Sequence, residues 1–242
     1  MDIIQTRFRE QLALKNIEIT ERQLAQFEIY FHELISWNEK MNLTGITDRE
    51  EVYVKHFYDS LSVSFFVSMR DVTQMADIGS GAGFPSIPLK IMFPHIKVTI
   101  VDSLNKRIQF LNHLTAALGL NEVNCVHGRA EDIARLPEHR DQYDLVTARA
   151  VAKLAGLNEL CLPFTKVNGT FVAMKGSDYQ QELDDSSYSL NELRAKYIYT
   201  RSLNLPDAEH SARNLLFLRK FSPTPKAYPR KAGTPLKLPL IK

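Results

Sequence analysis

The sequence predicts an α/β fold, in which helices cover both faces of a sheet built from strand–helix–strand units and a helical extension precedes that sheet. Two observations lead to this prediction. From Val72 onward, short apolar runs alternate with amphipathic stretches. The first apolar run ends at Asp77 before glycines at 79, 81 and 83, and the second ends at Asp102, 19 residues beyond Gly83. Glycines permit positive φ and close backbone approach, so the turn indicates a nucleotide-like ligand.

Residues 1–70 are predicted to form the helical extension. Thr20 and Gln23 make a capping box, and apolar side chains then recur at helical spacing on one face: Leu24, Phe27, Phe31, Leu34 and Ile35. Asparagine and glycine within residues 37–45 end this helix, and a second helical stretch follows Asp48. The extension is therefore expected to pack on the main domain through an apolar stripe.

Residues 71–222 are predicted to form the main domain. Its strands are expected at 74–78, 97–101, 123–127, 143–148, 170–174, 196–203 and 214–220. Helices are expected at 85–92 and at 105–118, the second with Ser103 as its cap. After the fourth strand, a helical segment is expected to end at about residue 165, and a polar helix is expected at 179–195. Residues 223–242, rich in proline and lysine, are predicted to run extended over the surface as a basic tail.

The distribution of charge is more informative than its sum. The 242 residues carry a formal net charge of +2, which is too small to indicate a nucleic-acid partner. Glu209 is the last acid, and eight bases follow it: Arg213, Arg219, Lys220, Lys226, Arg230, Lys231, Lys237 and Lys242. A solvated tail and an RNA-facing arm explain this run equally well.

The two cysteines, Cys125 and Cys161, have no His or Cys neighbour at metal-ligand spacing. We therefore expect neither a metal site nor a disulfide. With 44% hydrophobic and 24% charged residues, the composition is that of an ordinary globular protein, and no apolar run is long enough to span a bilayer. We expect a cytoplasmic monomer without a membrane partner.

The residues at the predicted strand ends favour S-adenosylmethionine as the ligand. A nicotinamide enzyme prefers a small residue at position 84, where this chain has Phe84. Asp77, two residues before the first glycine, repels phosphates and suits an ammonium group. Asp102 suits a ribose, and Ala130 lies where apolar groups would flank an adenine. Phosphoryl transfer is disfavoured because no P-loop lysine follows the glycines.

Seven stretches, spread in order over nearly the whole chain, carry a more specific pattern. They are Trp37-Asn38 with Asn42-Leu43-Thr44, residues 56–61 (HFYDSL), residues 79–85 (GSGAGFP), Arg129-Ala130-Glu131, residues 149–152 (RAVA), Lys175-Gly176 and residues 228–235 (YPRKAGTP). Together they resemble the bacterial small-subunit ribosomal RNA methyltransferase G family, formerly called glucose-inhibited division protein B. The resemblance implies a class I, Rossmann-like methyltransferase sheet. It also implies methyl transfer to N7 of a guanine in the 530 loop of 16S ribosomal RNA, presented as free RNA, small ribosomal subunit or precursor.

The predicted cofactor-binding residues share a position at the carboxyl ends of strands: Asp77, Gly79, Gly81, Phe84, Asp102, Ala130, Glu131 and Arg149. The family resemblance implies contacts at Gly79, Phe84, Ala130, Glu131 and Arg149. Family members often end strand two with Glu, where this chain has the shorter Asp102. Arg149 either braces the cofactor carboxylate or orients guanine or phosphate, and we favour the cofactor because Arg149 directly follows a strand.

The residues after the fourth strand agree with a ring-nitrogen target. Enzymes that methylate an exocyclic amine commonly carry Asn/Asp-Pro-Pro-aromatic there, whereas this chain has Ala148-Arg149-Ala150-Val151. No cysteine nucleophile for carbon-5 methylation lies near that edge. Guanine N7 already has an in-plane lone pair and loses no proton when it attacks, so no general base is required.

Four further residues are candidates for the RNA side: Lys175, Arg230 and Lys231 for phosphate contacts, and His56 for support of the target pocket. A solvated or structural role explains each of them nearly as well, and His56 with Asp59 is favoured as a structural pair. Two other functions remain open. They are methylation of another RNA, a small molecule or a protein, and binding of a nucleotide, including NAD, with or without catalysis.

Overall fold

The computed structural model describes residues 2–242 and confirms the α/β prediction. Seven strands form one sheet: β1 (Gln74–Ile78), β2 (Lys97–Asp102), β3 (Val123–His127), β4 (Tyr143–Arg149), β5 (Thr165–Lys175), β6 (Ala195–Asn204) and β7 (Ala212–Lys220). Their order is β3-β2-β1-β4-β5-β7-β6, and β7 is antiparallel to both neighbours. The strand order reverses between β1 and β4, and α/β sheets bind ligands at such a point.

Helices cover both faces of this sheet. The extension contains α1 (Ile3–Ala13), α2 (Glu21–Met41), α3 (Arg49–Glu51), a π-helix (Val52–Tyr58) and α4 (Asp59–Leu61). Two 3₁₀ helices follow, Ser62–Phe65 and Met69–Asp71. The remaining helices are α5 (Ser86–Met92), α6 (Asn105–Ala117), α7 (Ala130–Ile133), α8 (Leu154–Cys161), α9 (Gln180–Asp185), α10 (Ser187–Glu192) and α11 (Thr234–Lys237). Within residues 2–242, no helix combines the length and apolar character needed to cross a membrane.

Two apolar cores lie on opposite faces of the sheet, because successive strand residues point to opposite sides. Met75 of β1 packs into the core formed with the extension and α6, which includes Phe27 and Phe110. The neighbouring Ala76 packs into the other core, together with Leu157 of α8 and Leu190 of α10. The extension therefore shares its apolar core with the sheet.

Tyr30 connects the extension to the glycine turn. The α2 helix starts at the predicted capping box, with Thr20 as its N-cap. The fully buried Tyr30 of this helix donates a hydrogen bond of 2.6 Å to the carbonyl of Ala82 and stacks on Phe84 at 5.3 Å. A Cβ at Gly83, whose φ is +99°, would lie 2.8 Å from the Tyr30 hydroxyl oxygen. The extension thus fixes the conformation of the turn from below.

Tyr30→Phe is expected to lower the free energy of unfolding by about 1 kcal/mol, because the Ala82 carbonyl loses its buried hydrogen-bond donor. Urea unfolding measures the change. Tyr197→Phe is the matched control, since the Tyr197 side chain is 38% exposed. Equal stabilities of the two variants would show that the buried hydrogen bond contributes nothing.

Three local predictions need correction. Ser103 does not cap α6: its N-cap is Leu104, whose backbone N–H instead donates to Asp102 Oδ1 at 2.9 Å. The polar helix expected at 179–195 is two short helices, α9 and α10, which adjoin at Ser186. Strand β5 begins at Thr165, where the helix was expected to end, and the register against β4 shifts there. These boundaries depend on tertiary pairing, which periodicity does not report.

The C-terminal segment is not simply an extended tail, because side chains tie it to the main domain. Arg230 forms a bidentate ion pair with Glu159 of α8, with Nε 3.0 Å from both carboxylate oxygens and Nη2 2.7 Å from one. The Gly233 N–H donates to Glu131 Oε1 at 2.7 Å, and α11 follows. Glu159 is fully buried, and a buried carboxylate requires such a partner.

Candidate active site

The glycine turn lies at the carboxyl end of β1 and leaves room for a ligand. Gly79, Gly81 and Gly83 all have positive φ, and the Gly79 N–H donates to the Val101 carbonyl of β2 at 2.8 Å. A Cβ added at Gly81 would meet no atom within 4 Å, so this glycine faces open space. The Ser80 hydroxyl is buried without a hydrogen-bond partner. The turn therefore offers free space beside backbone amides.

Asp102 ends β2 next to this turn. Its carboxylate accepts from the Gly81 N–H at 3.3 Å and from Arg107 Nη1 at 3.4 Å, and the residue is 2% exposed. Parallel pairing of Ile78 with Val101 brings the two strand ends together. An acid and a row of amides at one edge suit a ligand with a diol and an amino-acid end, which S-adenosylmethionine has. The residues present fit that group.

Asp77 lies beneath the turn rather than in its opening. The buried carboxylate accepts from the Ser86 N–H at 3.1 Å and from Thr147 Oγ1 at 3.2 Å. Burial raises the pKa of Asp77 to about 7. Asp77 thereby connects the turn to the start of α5 and to β4, and its contact with an ammonium group stays a prediction.

Ala130 and Glu131 begin α7, which follows β3. Ala130 is half-buried, whereas Glu131 is buried and accepts from the Gly233 N–H. The side chain of Glu131 thus holds the C-terminal segment against this edge. Contact of these residues with an adenine stays a prediction.

A cleft of about 350 Å³ opens at the ends of β4 and β5; we call it the target cleft. It is lined by Ile46, Lys55, His56, Asp59, Arg149, Ala150, Met174, Lys175, Gly176 and Arg213. Arg149 Nη1 lies 3.0 Å from Asp59 Oδ2 and 3.3 Å from the Lys55 carbonyl oxygen. Arg213 Nε lies 3.3 Å from the same Asp59 oxygen. Asp59 is 2% exposed, and its other oxygen, Oδ1, has no partner.

Phe84 joins the glycine turn to the target cleft. One neighbour is His56, whose ring stacks on Phe84 with centroids 4.6 Å apart, and another is Arg149, whose guanidinium lies 4.8 Å from the Phe84 centroid. Phe84 is 4% exposed, so its ring is enclosed by these neighbours. Arg149 thus contacts the extension and lines the cleft, and its contact with the cofactor carboxylate stays a prediction.

His56 is an uncharged part of this wall. Its Nε2 lies 2.7 Å from Thr44 Oγ1, and its Nδ1 lies 3.2 Å from the Lys55 carbonyl oxygen. Burial, and then the positive charge of Arg149, lower the pKa of His56 to about 3. The contact with Thr44 also joins two of the stretches that carried the family resemblance.

His56 is therefore expected to make the protein sensitive to acid. The pKa of His56 is lower in the folded protein than in the unfolded chain. Below pH 6.5 the unfolded chain therefore binds a proton at His56 that the folded protein does not bind. His56 thus contributes stability above pH 6.5 that is lost as pH falls toward 3. Between pH 6.5 and 5, His56→Gln should reduce the fall in unfolding free energy by about 2 kcal/mol. Urea unfolding at several pH values tests this, with the exposed His127→Gln as control. Parallel slopes for wild type and His56→Gln would contradict it.

The three basic candidates for phosphate contact differ in placement. Lys175 Nζ is engaged, at 2.7 Å from both Glu182 Oε2 and the Ala152 carbonyl oxygen. Arg230 is engaged with Glu159. Lys231 is exposed. Phosphate contact stays a prediction for all three, with Lys231 the residue in the most accessible position.

Sequence reasoning missed Tyr30 and Arg213 as parts of the site. Tyr30 lies outside the apolar stripe predicted for its helix, and Arg213 is the first of the eight bases for which the sequence predicts a solvated tail or an RNA-facing arm. Ala150 was also missed, although its φ of +54° is unusual for a residue with a Cβ. The useful signal for Ala150 is its position directly after a strand, at the edge where ligands bind.

Comparison with known proteins gives a consistent result. The family model described as "rRNA small subunit methyltransferase G" matches residues 23–211. The ribosomal RNA small subunit methyltransferase G of Halalkalibacterium halodurans is 54% identical over 235 residues, covering 97% of this chain and 98% of the relative. That of Bacillus cytotoxicus is 51% identical over 236 residues, covering 98% of each.

Solved structures share the fold at low sequence identity. TYW2 from M. jannaschii, in complex with AdoMet, has a TM-score of 0.54 at 16% identity, with 69% of this chain and 76% of that chain covered. An O-methyltransferase from Thermotoga maritima, described as SAM-dependent, has a TM-score of 0.51 at 17% identity, with 80% and 73% covered. These likenesses confirm the Rossmann-like methyltransferase sheet.

Proposed function

The chain belongs to the ribosomal RNA small-subunit methyltransferase G family, and from this premise we propose that it transfers the methyl group of S-adenosylmethionine to N7 of a guanine in the 530 loop of 16S ribosomal RNA. One observation carries the proposal: the glycine turn with Asp102 and the target cleft lie at one edge of the sheet, joined through Phe84. A methyl donor and an acceptor base need such adjacent sites.

The chain's own residues account for cofactor binding. Asp102 accepts hydrogen bonds from the ribose hydroxyls, since its carboxylate lies at the end of β2 beside Gly81. The amides of the turn hold the carboxylate of the methionine end, and Asp77 fixes the turn from below. Ala130 and Glu131 border the adenine at the start of α7. Each role is a proposal supported by position.

The target side needs alignment rather than proton transfer. When bound, S-adenosylmethionine supplies a methyl group on a positively charged sulfur. Guanine N7 has an in-plane lone pair and loses no proton, so no general base is needed. This agrees with a target cleft in which the depressed pKa keeps His56 uncharged at neutral pH and Arg149 is held by Asp59. Arg149 and His56 then fix the wall against which the base is oriented.

The experiment is methyl transfer from labelled cofactor to three substrates, 16S RNA, small subunits and subunit precursors, taken from a strain that lacks this gene. We expect incorporation into at least one of them, at N7 of a guanine in the 530 loop. Chemical cleavage specific for N7-methylated guanine maps the position. Absence of incorporation from all three substrates, or a methyl group on a different atom, would overturn the proposal.

Saturable binding of S-adenosylmethionine without binding of NAD, measured by calorimetry, separates this function from the dinucleotide alternative. Binding of NAD in place of S-adenosylmethionine would contradict it.

A further inference from the structure

The exposed end of the sheet carries a row of arginines and aromatic rings on one face, which we call the basic–aromatic stripe: Tyr199 and Arg201 of β6 with Arg213, Phe217 and Arg219 of β7. Antiparallel register places Tyr199 opposite Phe217 and Arg201 opposite Leu215. Alternate residues share a face, so Arg213, Leu215, Phe217 and Arg219 lie on one side of β7. The six steps along β7 from Arg213 to Arg219 make the row about 20 Å long.

The stripe begins in the target cleft. Arg213 lines that cleft and contacts Asp59 at 3.3 Å. At the other end, a groove of about 300 Å³ is lined by Thr170, Ile198, Tyr199, Phe217 and Arg219. Arg201 lies between these ends, with its guanidinium 4.9 Å from the Tyr199 ring centroid. Arg213 in the cleft and Arg219 in the groove thus lie on one face of β7, with Arg201 of β6 between them.

The strands that carry this surface contribute only positive charges. Strands β5, β6 and β7 contain no Asp or Glu. Within residues 2–242, Arg201 and Arg219 are exposed and have no carboxylate within ion-pair distance. Two guanidinium groups without an acidic partner thus lie beside the exposed Tyr199 ring. They suit phosphates.

The aromatic rings suit bases. Tyr199 is 36% exposed and packs on Phe217 with centroids 4.7 Å apart, so the buried ring supports the exposed one. Surfaces that bind single-stranded nucleic acid combine such stacking rings with a cationic path for the backbone. A second copy of this chain would bring the same arginines to the face, and like charges would repel.

From this arrangement we propose that single-stranded RNA adjoining the target nucleotide lies along the basic–aromatic stripe. Phosphates contact Arg201 and Arg219, and a base stacks on Tyr199. The inference rests on the proposed RNA methylation and adds where the flanking strand lies. It also separates the two ends of the RNA site: the target cleft receives the reacting base, and the stripe supplies affinity without reading that base.

The test compares the wild type with Arg201→Ala/Arg219→Ala, with Tyr199→Leu and with Arg22→Ala. Arg22 is an exposed arginine at the start of α2, beside the segment that precedes β3 at the opposite end of the sheet. Binding of deproteinised 16S RNA and of a labelled 20-nucleotide single-stranded RNA is measured from low to high salt. S-adenosylmethionine affinity and thermal unfolding are measured in parallel, as checks of the fold.

We expect the double arginine variant to flatten the slope of log affinity against log salt by about 1.4, since two phosphate contacts are lost. Tyr199→Leu should weaken binding about tenfold or more and leave the slope unchanged. Arg22→Ala should keep the wild-type RNA affinity and the wild-type salt slope. The inference would be overturned if the stripe variants kept the affinity and the salt slope of the wild type. It would also be overturned if the wild type were a dimer and the stripe variants were monomers. Methyl incorporation by the wild type is scored separately, so failure of the stripe is distinguishable from failure of the proposed function.

Discussion

Arg149→Ala is expected to reduce methyl transfer by at least about a hundredfold and the free energy of unfolding by about 1.5–3 kcal/mol. The guanidinium pairs with the buried Asp59 at 3.0 Å and packs against Phe84. Its removal leaves Asp59 with Arg213 as its remaining cation, and Asp59 Oδ1 has no partner already. Labelled methyl incorporation into 16S RNA measures the activity, and urea unfolding measures the stability.

A second substitution separates the two effects. In Arg149→Ala/Asp59→Asn no uncompensated carboxylate remains, so most of the lost stability should return while activity stays low. Recovery of activity would mean that Arg149 serves only to neutralise Asp59. Calorimetry with S-adenosylmethionine adds the third measurement, in which we expect near-wild-type affinity for Arg149→Ala. A large loss of affinity would favour the cofactor role that the sequence alone suggested.

The sheet was predictable because its signals are local. Each of the first five strands contains a short apolar run, and the bounds of β1 agree with those expected from the sequence. Asp102 could be placed beside the glycine turn because parallel strands that follow one another in the chain end at the same edge. The capping box at Thr20 was likewise visible in four consecutive residues.

The contacts that complete the site could not be predicted in this way, because they join distant residues. Tyr30 and Ala82 are 52 positions apart, Arg149 and Asp59 are 90 apart, and Glu159 and Arg230 are 71 apart. No periodicity reports such a pair. The π-helix at Val52–Tyr58 is a second example, since its wider turn changes which side chains face the cleft while the apolar stripe still looks helical.

One signal was available and was not used. Glu159 lies in the apolar run of α8, where an acid is costly unless a cation reaches it. The sequence predicts a solvated tail or an RNA arm for the basic residues after Glu209, whereas one of them binds a buried acid of the same chain. An isolated acid in an apolar helix should therefore prompt a search for an arginine elsewhere in the sequence. In this chain that arginine is Arg230.

Asp102→Asn is expected to raise the Kd for S-adenosylmethionine about a hundredfold. Two charge-assisted hydrogen bonds to ribose hydroxyls lose their carboxylate, and each such bond contributes roughly 1.5–3 kcal/mol. The new amide nitrogen would also face a donor, because Gly81 N–H and Leu104 N–H both point at this carboxylate. At a ligand concentration about 100 times the wild-type Kd, stabilisation by the ligand should fall from about 2.7 to about 0.4 kcal/mol. Thermal unfolding with and without S-adenosylmethionine measures this difference.

Two matched variants decide whether the lost charge or a change in local structure weakens the binding of S-adenosylmethionine. Asp102→Glu keeps the charge and should hold Kd within about tenfold of wild type, since a carboxylate still reaches the ribose. Asp132→Asn removes an exposed acid on the nearby α7 and should change nothing. If Asp102→Asn loses as much stability without ligand as with it, the carboxylate serves the turn alone. The predicted ribose contact is then wrong, because replacing a ligand-binding residue must change how much S-adenosylmethionine stabilises the protein.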